Sequence, residues 1–523
     1  MRGGAITATI AAVISAACIA LACTATARDR AGPDLTHRTD LDPETIARLE
    51  AILAAPLDAS RPQPFEAMSG GATTTRVTPD ANAFSKPSAN LTPEQQADFA
   101  VGNGVFRKLW TPAPSSTTAS DGLGPLWNAR ACQRCHIKDG RGHPPPPGRY
   151  WEEGGDAVSF VLGLSVPAEA GQARTPQTLS ERVVPDPALG AQLHDFAAPG
   201  LAREGRPVVT YEEIAIALSG GEAASLRRPT YTIEGAGSLH PELMISPRVA
   251  NPMIGLGLLE AIHERDILTK ADPDDADGDG ISGRAQVATD APTGVPLLGR
   301  FGWKAAQPSV RQQSAFAFVT DMGLSTSLVP TPYGDCMPAQ SECLAAPTGV
   351  GGELPGTPAQ AHEVPDALLE LVAFYAANLA VPRRRNEDDR HVLRGRTVFH
   401  ESGCAMCHRP NYLTRDDDTV PLEHRRQLIW PYTDLLLHDM GEGLADGRPQ
   451  GVASGREWRT PPLWGVGLTE QVSGHTQFLH DGRARNLLEA ILWHGGEAAP
   501  ARDAVIALEP EDRRALIRFL ESL

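Results

Sequence analysis

The sequence is poor in aromatic residues, in cysteines and in clustered basic residues. Phe, Trp and Tyr make up 5% of the 523 residues, and there are only eight cysteines. With 47 basic against 64 acidic side chains the formal net charge is −17, which argues against a nucleic acid partner because phosphate binding needs clustered Lys and Arg. Beyond the N-terminus, no run holds the ~20 apolar residues that a membrane span needs. Gly and Pro are in excess, with 50 and 45 residues, which favours a loop-rich globular protein over long sheets or coiled coils.

The N-terminus is typical of an exported protein. A single charged residue precedes an apolar run over residues 6–21, and Ala25-Thr26-Ala27 fits cleavage by a signal peptidase. We therefore predict a signal peptide over residues 1–27 and a periplasmic location. An imperfect lipoprotein box ends at Cys23, so the alternative is a signal that ends at Ala22 and a lipid anchor on Cys23.

Two Cys-x-x-Cys-His motifs predict covalently bound haem. They are Cys132-Gln133-Arg134-Cys135-His136 and Cys404-Ala405-Met406-Cys407-His408, and this pattern is the attachment site of c-type haem. Two thiols one helical turn apart can add to the two vinyl groups of a porphyrin, and the next residue places an imidazole beneath the iron. Zinc would need four ligands, and a thioredoxin-like pair would not need a histidine twice. The sequence therefore predicts two haem c groups, one on each motif.

One further cysteine pair lies in a Gly/Pro-rich loop over residues 330–356. Cys336 and Cys343 have six residues between them. Because an exported protein meets an oxidising compartment, we expect a disulfide here. Two free thiols are the alternative.

Two haem motifs, together with helix patterns over residues 93–108 and 509–523, predict a mainly α fold. The fold is expected to have two cytochrome c-like haem domains, long loops and a mixed insertion in the N-terminal domain. The predicted units are a polar N-terminal extension (28–92), an N-terminal haem c domain (93–385) with an insertion at about 143–245, and a C-terminal cytochrome c domain (386–523). Residues 252–260 also echo residues 462–470, each downstream of one haem motif. This echo suggests a duplication, with a chance match of short Gly/Leu strings as the alternative.

Longer strings resemble a known family, the exported di-haem oxidoreductases, some of which are called thiol oxidoreductases. The family is related to the bacterial di-haem cytochrome c peroxidases. The resemblance runs through most of residues 95–523. It rests on residues 122–136 (GLGPLWNARACQRCH), 272–284 (DPDDADGDGISGR), 299–305 (GRFGWKA), 435–448 (LLLHDMGEGLADGR) and 459–496. A thiol oxidoreductase activity finds no support, because no free Cys-x-x-Cys pair remains once the haem groups are assigned.

The resemblance implies a second iron ligand at the C-terminal haem. In the peroxidases it lies 14 residues after the histidine of a His-x-Gly string, which is His480 here, so the position is His494, where the peroxidases usually have Met. His408 and His494 would then both bind the iron, with a lower potential than a His/Met pair gives. Met440 is the competing ligand, and a surface position at a helix end is the alternative for His494. His480 is either close to the haem edge or a buried core histidine.

At the N-terminal haem the resemblance implies a carboxylate and a glutamine that act on peroxide. Asp321-Met322-Gly323 matches the peroxidases' Glu-Met-Gly string with Asp in place of Glu. Peroxide cleavage needs a group that moves a proton and donors that stabilise the leaving hydroxide. Asp321 is the candidate base, with a helix-terminal carboxylate in solvent as the alternative. The candidate glutamines upstream of it are Gln307, Gln312 and Gln313.

Asp275, Asp277 and Asp279 begin a calcium-loop pattern. Alternate carboxylates can converge on one hard cation, and glycine allows the sharp turn. The twelfth position is Gln286 rather than Glu, so a full EF-hand fails. A partial calcium site and a solvated acidic turn remain as the two alternatives.

Three functions are compatible with these residues. The first is a peroxidase in which electrons pass from the C-terminal to the N-terminal haem and reduce hydrogen peroxide. The second is a di-haem enzyme that oxidatively modifies a partner protein, and the third is a non-enzymatic di-haem electron carrier. Asp321 and the glutamines favour an enzyme. The acidic surface favours a small cytochrome or copper protein as electron donor.

Overall fold

The structure is a computed structural model that describes residues 35–54, 58–147, 159–169, 182–350 and 361–523. The predicted signal peptide and Cys23 lie outside these residues. In the part that is described, no helix has the length and apolar character needed to cross a membrane.

Helices and strands alternate along the chain. The α-helices are α1 (Pro43–Leu53), α2 (Pro93–Phe106), α3 (Cys132–Cys135), α4 (Leu256–Glu260), α5 (Glu264–Leu268), α6 (Val310–Met322), α7 (Ser341–Leu344), α8 (Asp366–Ala377), α9 (Arg390–Glu401), α10 (Thr469–Ser473), α11 (Leu487–Leu492), α12 (Ala499–Ala507) and α13 (Pro510–Ser522). The strands are β1 (Leu126–Trp127), β2 (Phe160–Pro167), β3 (Val183–Val184), β4 (Phe196–Ala197), β5 (Arg206–Ala217), β6 (Ala223–Glu234), β7 (Met244–Val249), β8 (Val287–Thr289), β9 (Pro296–Leu298), β10 (Tyr412–Leu413), β11 (Leu428–Ile429), β12 (Leu437–Asp439) and β13 (Glu457–Arg459).

The prediction of a mainly α fold is wrong. The structure has 31% helix and 17% strand in several small sheets, and the cytochrome c-like architecture expected with that fold is not confirmed. The longest strands, β5 and β6, form an antiparallel ribbon of 12 residues each, and β7 pairs with β2. Both strands of this two-stranded ribbon keep partly exposed faces, and polar and apolar residues alternate clearly only over residues 230–234 of β6. Pro229 within β6 is tolerated because this strand has an unpaired edge.

Each Cys-x-x-Cys-His motif lies, in the sequence, between the two helices of a packed pair, and the helices of each pair cross at a glycine. α2 begins at a capping box formed by Thr92 and Gln95, and it packs on α8. A Cβ atom placed at Gly102 in α2 would lie 2.3 Å from the carbonyl oxygen of Leu371. α9 packs on α13 in the same way, since a Cβ atom at Gly395 would lie 1.9 Å from the carbonyl oxygen of Ala515. Each motif therefore follows a helix that is held at a close crossing.

The two copies of the short repeat pack against each other. Gly255 and Gly465 hold equivalent positions in the repeat, and both adopt a positive φ, +71° and +74°. A Cβ atom at Gly255 would lie 2.3 Å from Trp464 Cζ2, and one at Gly465 would lie 2.6 Å from Ile254 Cδ1. Ile254 and Trp464 are themselves equivalent, so the contact is reciprocal. This reciprocity supports a duplication.

Replacing Gly255 by Ala is expected to destabilise the protein by about 2–6 kcal/mol, because strain at positive φ adds to a clash with Trp464. Gly221 is the matched control, since it has a φ of +75° and nothing within 4 Å of an added Cβ. Gly221→Ala should therefore lower the apparent Tm much less in thermal unfolding. Equal losses in the two variants would show that the Trp464 contact is not tight.

Residues ahead of the first helix pair also pack into the molecule. Leu35, Leu41, Leu49 and Leu53 form a buried cluster with Leu413. Phe84 joins the core that holds Ile254 and Trp464. The predicted domain boundaries stay predictions.

Candidate functional site

A single cavity of about 810 Å³ reaches both Cys-x-x-Cys-His motifs. Its walls include Cys132, Cys135, His136, Cys404, Cys407 and His408. The segments that carry the short repeat also contribute to its walls, through Pro252 and Pro462. A cavity of this size and mixed lining is typical of a ligand or cofactor site.

The first motif presents a neutral histidine. Helix α3 spans Cys132–Cys135, so the two thiols are one helical turn apart. His136 Nδ1 lies 2.8 Å from the carbonyl oxygen of Asn251. Because a carbonyl only accepts, Nδ1 carries the hydrogen and Nε2 carries the lone pair that a metal needs. Burial lowers the pKa of His136 to about 4, which keeps the ring neutral.

The second motif repeats this arrangement. His408 Nδ1 donates to the carbonyl oxygen of Tyr432 at 2.9 Å, and burial lowers its pKa to about 4. His494, just beyond α11, lines the same cavity and donates from Nδ1 to the carbonyl oxygen of Ala490 at 2.8 Å. Burial also lowers the pKa of His494. Four thiols and three neutral imidazoles, whose Nε2 atoms have no hydrogen-bond partner among the described residues, surround one cavity and fit two c-type haem groups.

Met440 lines the cavity as well, so it remains the competitor of His494. His438, two residues before Met440 in the 435–448 string, is held by two carboxylates. Its Nε2 is 2.8 Å from Asp434 Oδ2, and its Nδ1 is 2.7 Å from Glu497 Oε2. Ser282 Oγ donates to the other oxygen of Glu497 at 2.5 Å. This buried network fixes the chain around Met440 and was not predicted from the sequence.

Asp321 lies in the last turn of α6 and faces the cavity. Its carbonyl oxygen accepts hydrogen bonds from the backbone of Asn128 (2.8 Å) and Ala129, a few residues before the first motif. Its Oδ1 accepts from Gln192 Nε2 at 2.8 Å. Burial raises the pKa of Asp321, and the hydrogen bond from Gln192 partly offsets this effect. The carboxyl group can therefore hold a proton more easily than an exposed aspartate.

The amide beside Asp321 is not one of the three glutamines that were predicted. Gln307 and Gln313 line the cavity, but no hydrogen bond joins either of them to Asp321 in the described structure. Gln312 is not a lining residue, and its Nε2 donates to Gln307 Oε1 (2.8 Å) and to the carbonyl oxygen of Thr289 (2.9 Å). Gln192, which lies in the predicted insertion, was missed because nothing in its local sequence marks it.

His480 is buried and also lines the cavity, and its predicted position near the haem edge stays a prediction. Its ring stacks on Trp458, with centroids 3.8 Å apart and planes 11° apart, and it meets Trp303 edge-on. Its Nε2 is buried without a hydrogen-bond partner among the described residues. Burial lowers the pKa of His480 to about 3, so it is neutral.

The predicted calcium residues are brought together only in part. Carboxylate oxygens of Asp272, Asp275 and Asp277 lie within 4.8 Å of one another. Asp279 instead accepts a hydrogen bond from the backbone of Ile281 at 2.9 Å. Calcium stays a prediction. Cys336 and Cys343 form a disulfide, with Cα atoms 6.0 Å apart.

The comparisons with known proteins agree with this geometry. A family model described as "di-haem oxidoreductase, putative peroxidase" matches residues 65–523, which confirms the resemblance predicted from the sequence. No curated protein matched the chain. The family model covers most of the 523 residues, including both motifs and the whole cavity wall. The chain belongs to the di-haem oxidoreductase family.

Proposed function

We propose that this oxidoreductase reduces hydrogen peroxide to water at its N-terminal motif, with electrons that enter at its C-terminal motif. When bound as haem c to Cys132, Cys135 and Cys404, Cys407, the two haem groups supply the one-electron redox chemistry. The observation that carries the proposal is the Asp321–Gln192 pair, which faces the cavity next to the first motif.

Asp321 is the group that we propose moves the proton. Reduction of hydrogen peroxide consumes two electrons and two protons, and a positioned carboxyl group can deliver a proton to the departing oxygen. Gln192 Nε2 donates to both Asp321 Oδ1 and Asn128 Oδ1, each at 2.8 Å, so its two amide hydrogens are used. Gln192 therefore orients the carboxyl group, and Oδ2 is left without a partner among the described residues to carry the exchangeable proton.

His136, His408 and His494 are the proposed iron ligands. Each ring is neutral, and each is fixed by a hydrogen bond from Nδ1 to a backbone carbonyl. Such a bond sets the ring orientation and raises the basicity of the metal-binding nitrogen. Two histidine ligands at the C-terminal motif would bind that iron more tightly than a single histidine ligand with the other position open.

The location and the electron donor are part of the proposal. The N-terminal sequence supports export to the periplasm, where haem c is assembled, and lipidation of Cys23 would tether the protein to a membrane. A net charge of −17 supports a small basic cytochrome or copper protein as the donor, because opposite charge steers association.

Electron paramagnetic resonance of the haem-loaded protein, fully oxidised and half-reduced, tests the function. We expect one high-spin signal in the half-reduced protein and its loss when peroxide is added. Two low-spin signals in the oxidised protein, of which the one left after half-reduction is still low-spin, together with no consumption of peroxide, would instead identify an electron carrier.

Replacing His494 by Met is expected to raise the reduction potential of the C-terminal haem, because a His/Met pair favours the reduced iron more than a His/His pair does. A spectroelectrochemical titration measures the shift. Met440→Leu is the matched control and should leave that potential unchanged. If Met440→Leu changes the potential and His494→Met does not, Met440 is the ligand.

A further inference from the structure

One wall of the cavity carries buried positive charge that the proposed chemistry does not use. Arg248 from β7, Lys304 from the loop between β9 and α6, and Arg448 from the loop between β12 and β13 all line the cavity. Two of the family strings, residues 299–305 and 435–448, therefore meet at this place.

Lys304 is already compensated. Its ammonium group donates to Asp446 Oδ1 at 2.9 Å and to the carbonyl oxygens of Arg448 and Ser454, each at 2.8 Å. Asp446 Oδ2 accepts in turn from Ser246 Oγ at 2.6 Å. The Asp446 carboxylate and the Lys304 ammonium group therefore form a direct ion pair in which their charges compensate each other.

The two guanidinium groups lie near Asp446, but neither forms a direct ion pair with it or with another carboxylate among the described residues. In the register of β2 and β7, Gly163 lies opposite Ser246, and Val161 lies opposite Arg248, so these four residues share one face of the sheet. The Arg448 guanidinium lies over this face, because a Cβ atom at Gly163 would be 3.1 Å from its Nη1.

The hydrogen bonds of the two guanidinium groups go to hydroxyls. Arg448 Nε donates to Ser165 Oγ at 2.6 Å, and Arg248 Nε donates to Ser246 Oγ at 3.1 Å. Arg248 Nη2 is buried without a partner, and neither guanidinium forms a salt bridge within the described residues. Burial, and then the charge of Arg248 nearby, lower the pKa of Arg448 to about 10, although the charges of Asp446 and Asp335 partly offset this effect.

Two neighbouring guanidinium groups that are largely desolvated and lack a direct ion pair are unfavourable unless an anion joins them. The planar guanidinium matches the two oxygens of a carboxylate, which can accept from both groups at once. We infer that Arg248 and Arg448 bind a carboxylate group inside the cavity, with the Lys304–Asp446 pair fixing the loop that carries Arg448. The carboxylate belongs either to a haem propionate or to a small carboxylate ligand, and the first source rests on the proposed haem binding.

The two sources differ in what they do to the haem groups. A cation next to a propionate makes the more negative, reduced state more favourable, so its removal lowers the reduction potential of that haem. A free carboxylate ligand leaves the potentials of the ligand-free protein independent of these arginines. Neither the reduction potentials nor the binding of a free carboxylate depends on the rate of peroxide turnover. Failure of the peroxidase proposal would therefore not affect the result.

The test uses Arg248→Met and Arg448→Met in the haem-loaded full chain, with Arg228→Met as the control. Arg228 is an exposed arginine of β6 that pairs with Glu212. The measurements are the two reduction potentials, calorimetric binding of acetate with chloride as the matched anion, and the apparent Tm. Arg248→Lys is added because it keeps the charge but loses the planar pair of donors.

A lower potential of one haem in both Met variants, with a smaller change in Arg248→Lys and none in Arg228→Met, supports the propionate. Saturable acetate binding that weakens about tenfold or more in both Met variants, with unchanged potentials, supports a free ligand. If potentials are unchanged, acetate does not bind and both Met variants unfold at a higher temperature, the inference is overturned. That outcome would mean that the two charges only repel each other.

Discussion

Replacing Asp321 by Asn is expected to slow peroxide turnover by the haem-loaded protein about 10²- to 10⁴-fold. Asparagine has nearly the same shape, and its Oδ1 can still accept the hydrogen bond from Gln192 Nε2. Its Nδ2 amide group, which takes the place of Asp321 Oδ2, cannot release or take up a proton. The variant should therefore fold and take up haem as before while it loses the proton transfer. Stopped-flow measurement of peroxide reduction with a reduced donor gives the rate, and the haem content is read from the absorbance of the same sample.

Asp366→Asn is the matched control for Asp321→Asn. Asp366 is an exposed residue in the first turn of α8, so the same chemical change there should leave turnover unaltered. Gln192→Leu should slow turnover less than Asp321→Asn, since Gln192 orients the carboxyl group and does not carry the proton. If Asp321→Asn turns over peroxide at the rate of the unmodified protein, Asp321 is not the base.

The haem motifs could be found from sequence alone because their chemistry is local. Two thiols and an imidazole within five residues make up the whole predicted attachment site, and the fold only has to bring them to a cavity. The same holds for the helices with end signals, since the pattern over residues 93–108 became Pro93–Phe106 and that over residues 509–523 became Pro510–Ser522. Proline at the first helical position fixed both starts.

Gln192 could not be found in this way, because it reaches Asp321 from 129 residues away. An isolated bridge between Gly163 and Gln192 sets its position, and a bridge of one residue leaves no pattern in the sequence. The three glutamines that were predicted were chosen for their place between two family strings. Of the three, Gln307 and Gln313 line the cavity, whereas the buried amide of Gln312 connects α6 to the strand that holds Thr289, so the roles of the three glutamines stay predictions.

The mainly α prediction was wrong for a related reason. The motifs and the strongest helix patterns lie outside residues 143–245, and that segment holds the long β5–β6 ribbon. The ribbon contacts the C-terminal half through Arg227, which donates to the carbonyl oxygen of Arg483, and through Tyr231, which donates to Asp481 Oδ2 at 2.6 Å. Because Asp481 follows His480, the segment that was treated as an insertion supports one wall of the cavity.

Replacing Cys404 and Cys407 together by Ala is expected to remove one of the two haem groups and to abolish donor-driven peroxide reduction. Without the two thiols no thioether bond can form, and His408 alone cannot retain haem through denaturation. The first motif is unchanged in this variant, so one covalent haem per chain should remain. The pyridine haemochrome assay on acid-denatured protein measures the number of covalent haem groups per chain.

The reciprocal change at Cys132 and Cys135 separates the two roles that we propose. That variant should also keep one covalent haem and should still accept electrons from the donor, because the C-terminal motif is intact. It should not reduce peroxide, because Asp321 and Gln192 then face a cavity without the haem on which they act. Cys336→Ala with Cys343→Ala is the matched control, since it removes the same number of thiols by breaking the disulfide and should leave two haem groups per chain. Two covalent haem groups in either motif variant, or peroxide turnover in the variant of the first motif, would contradict the assignment of the chemistry to that motif.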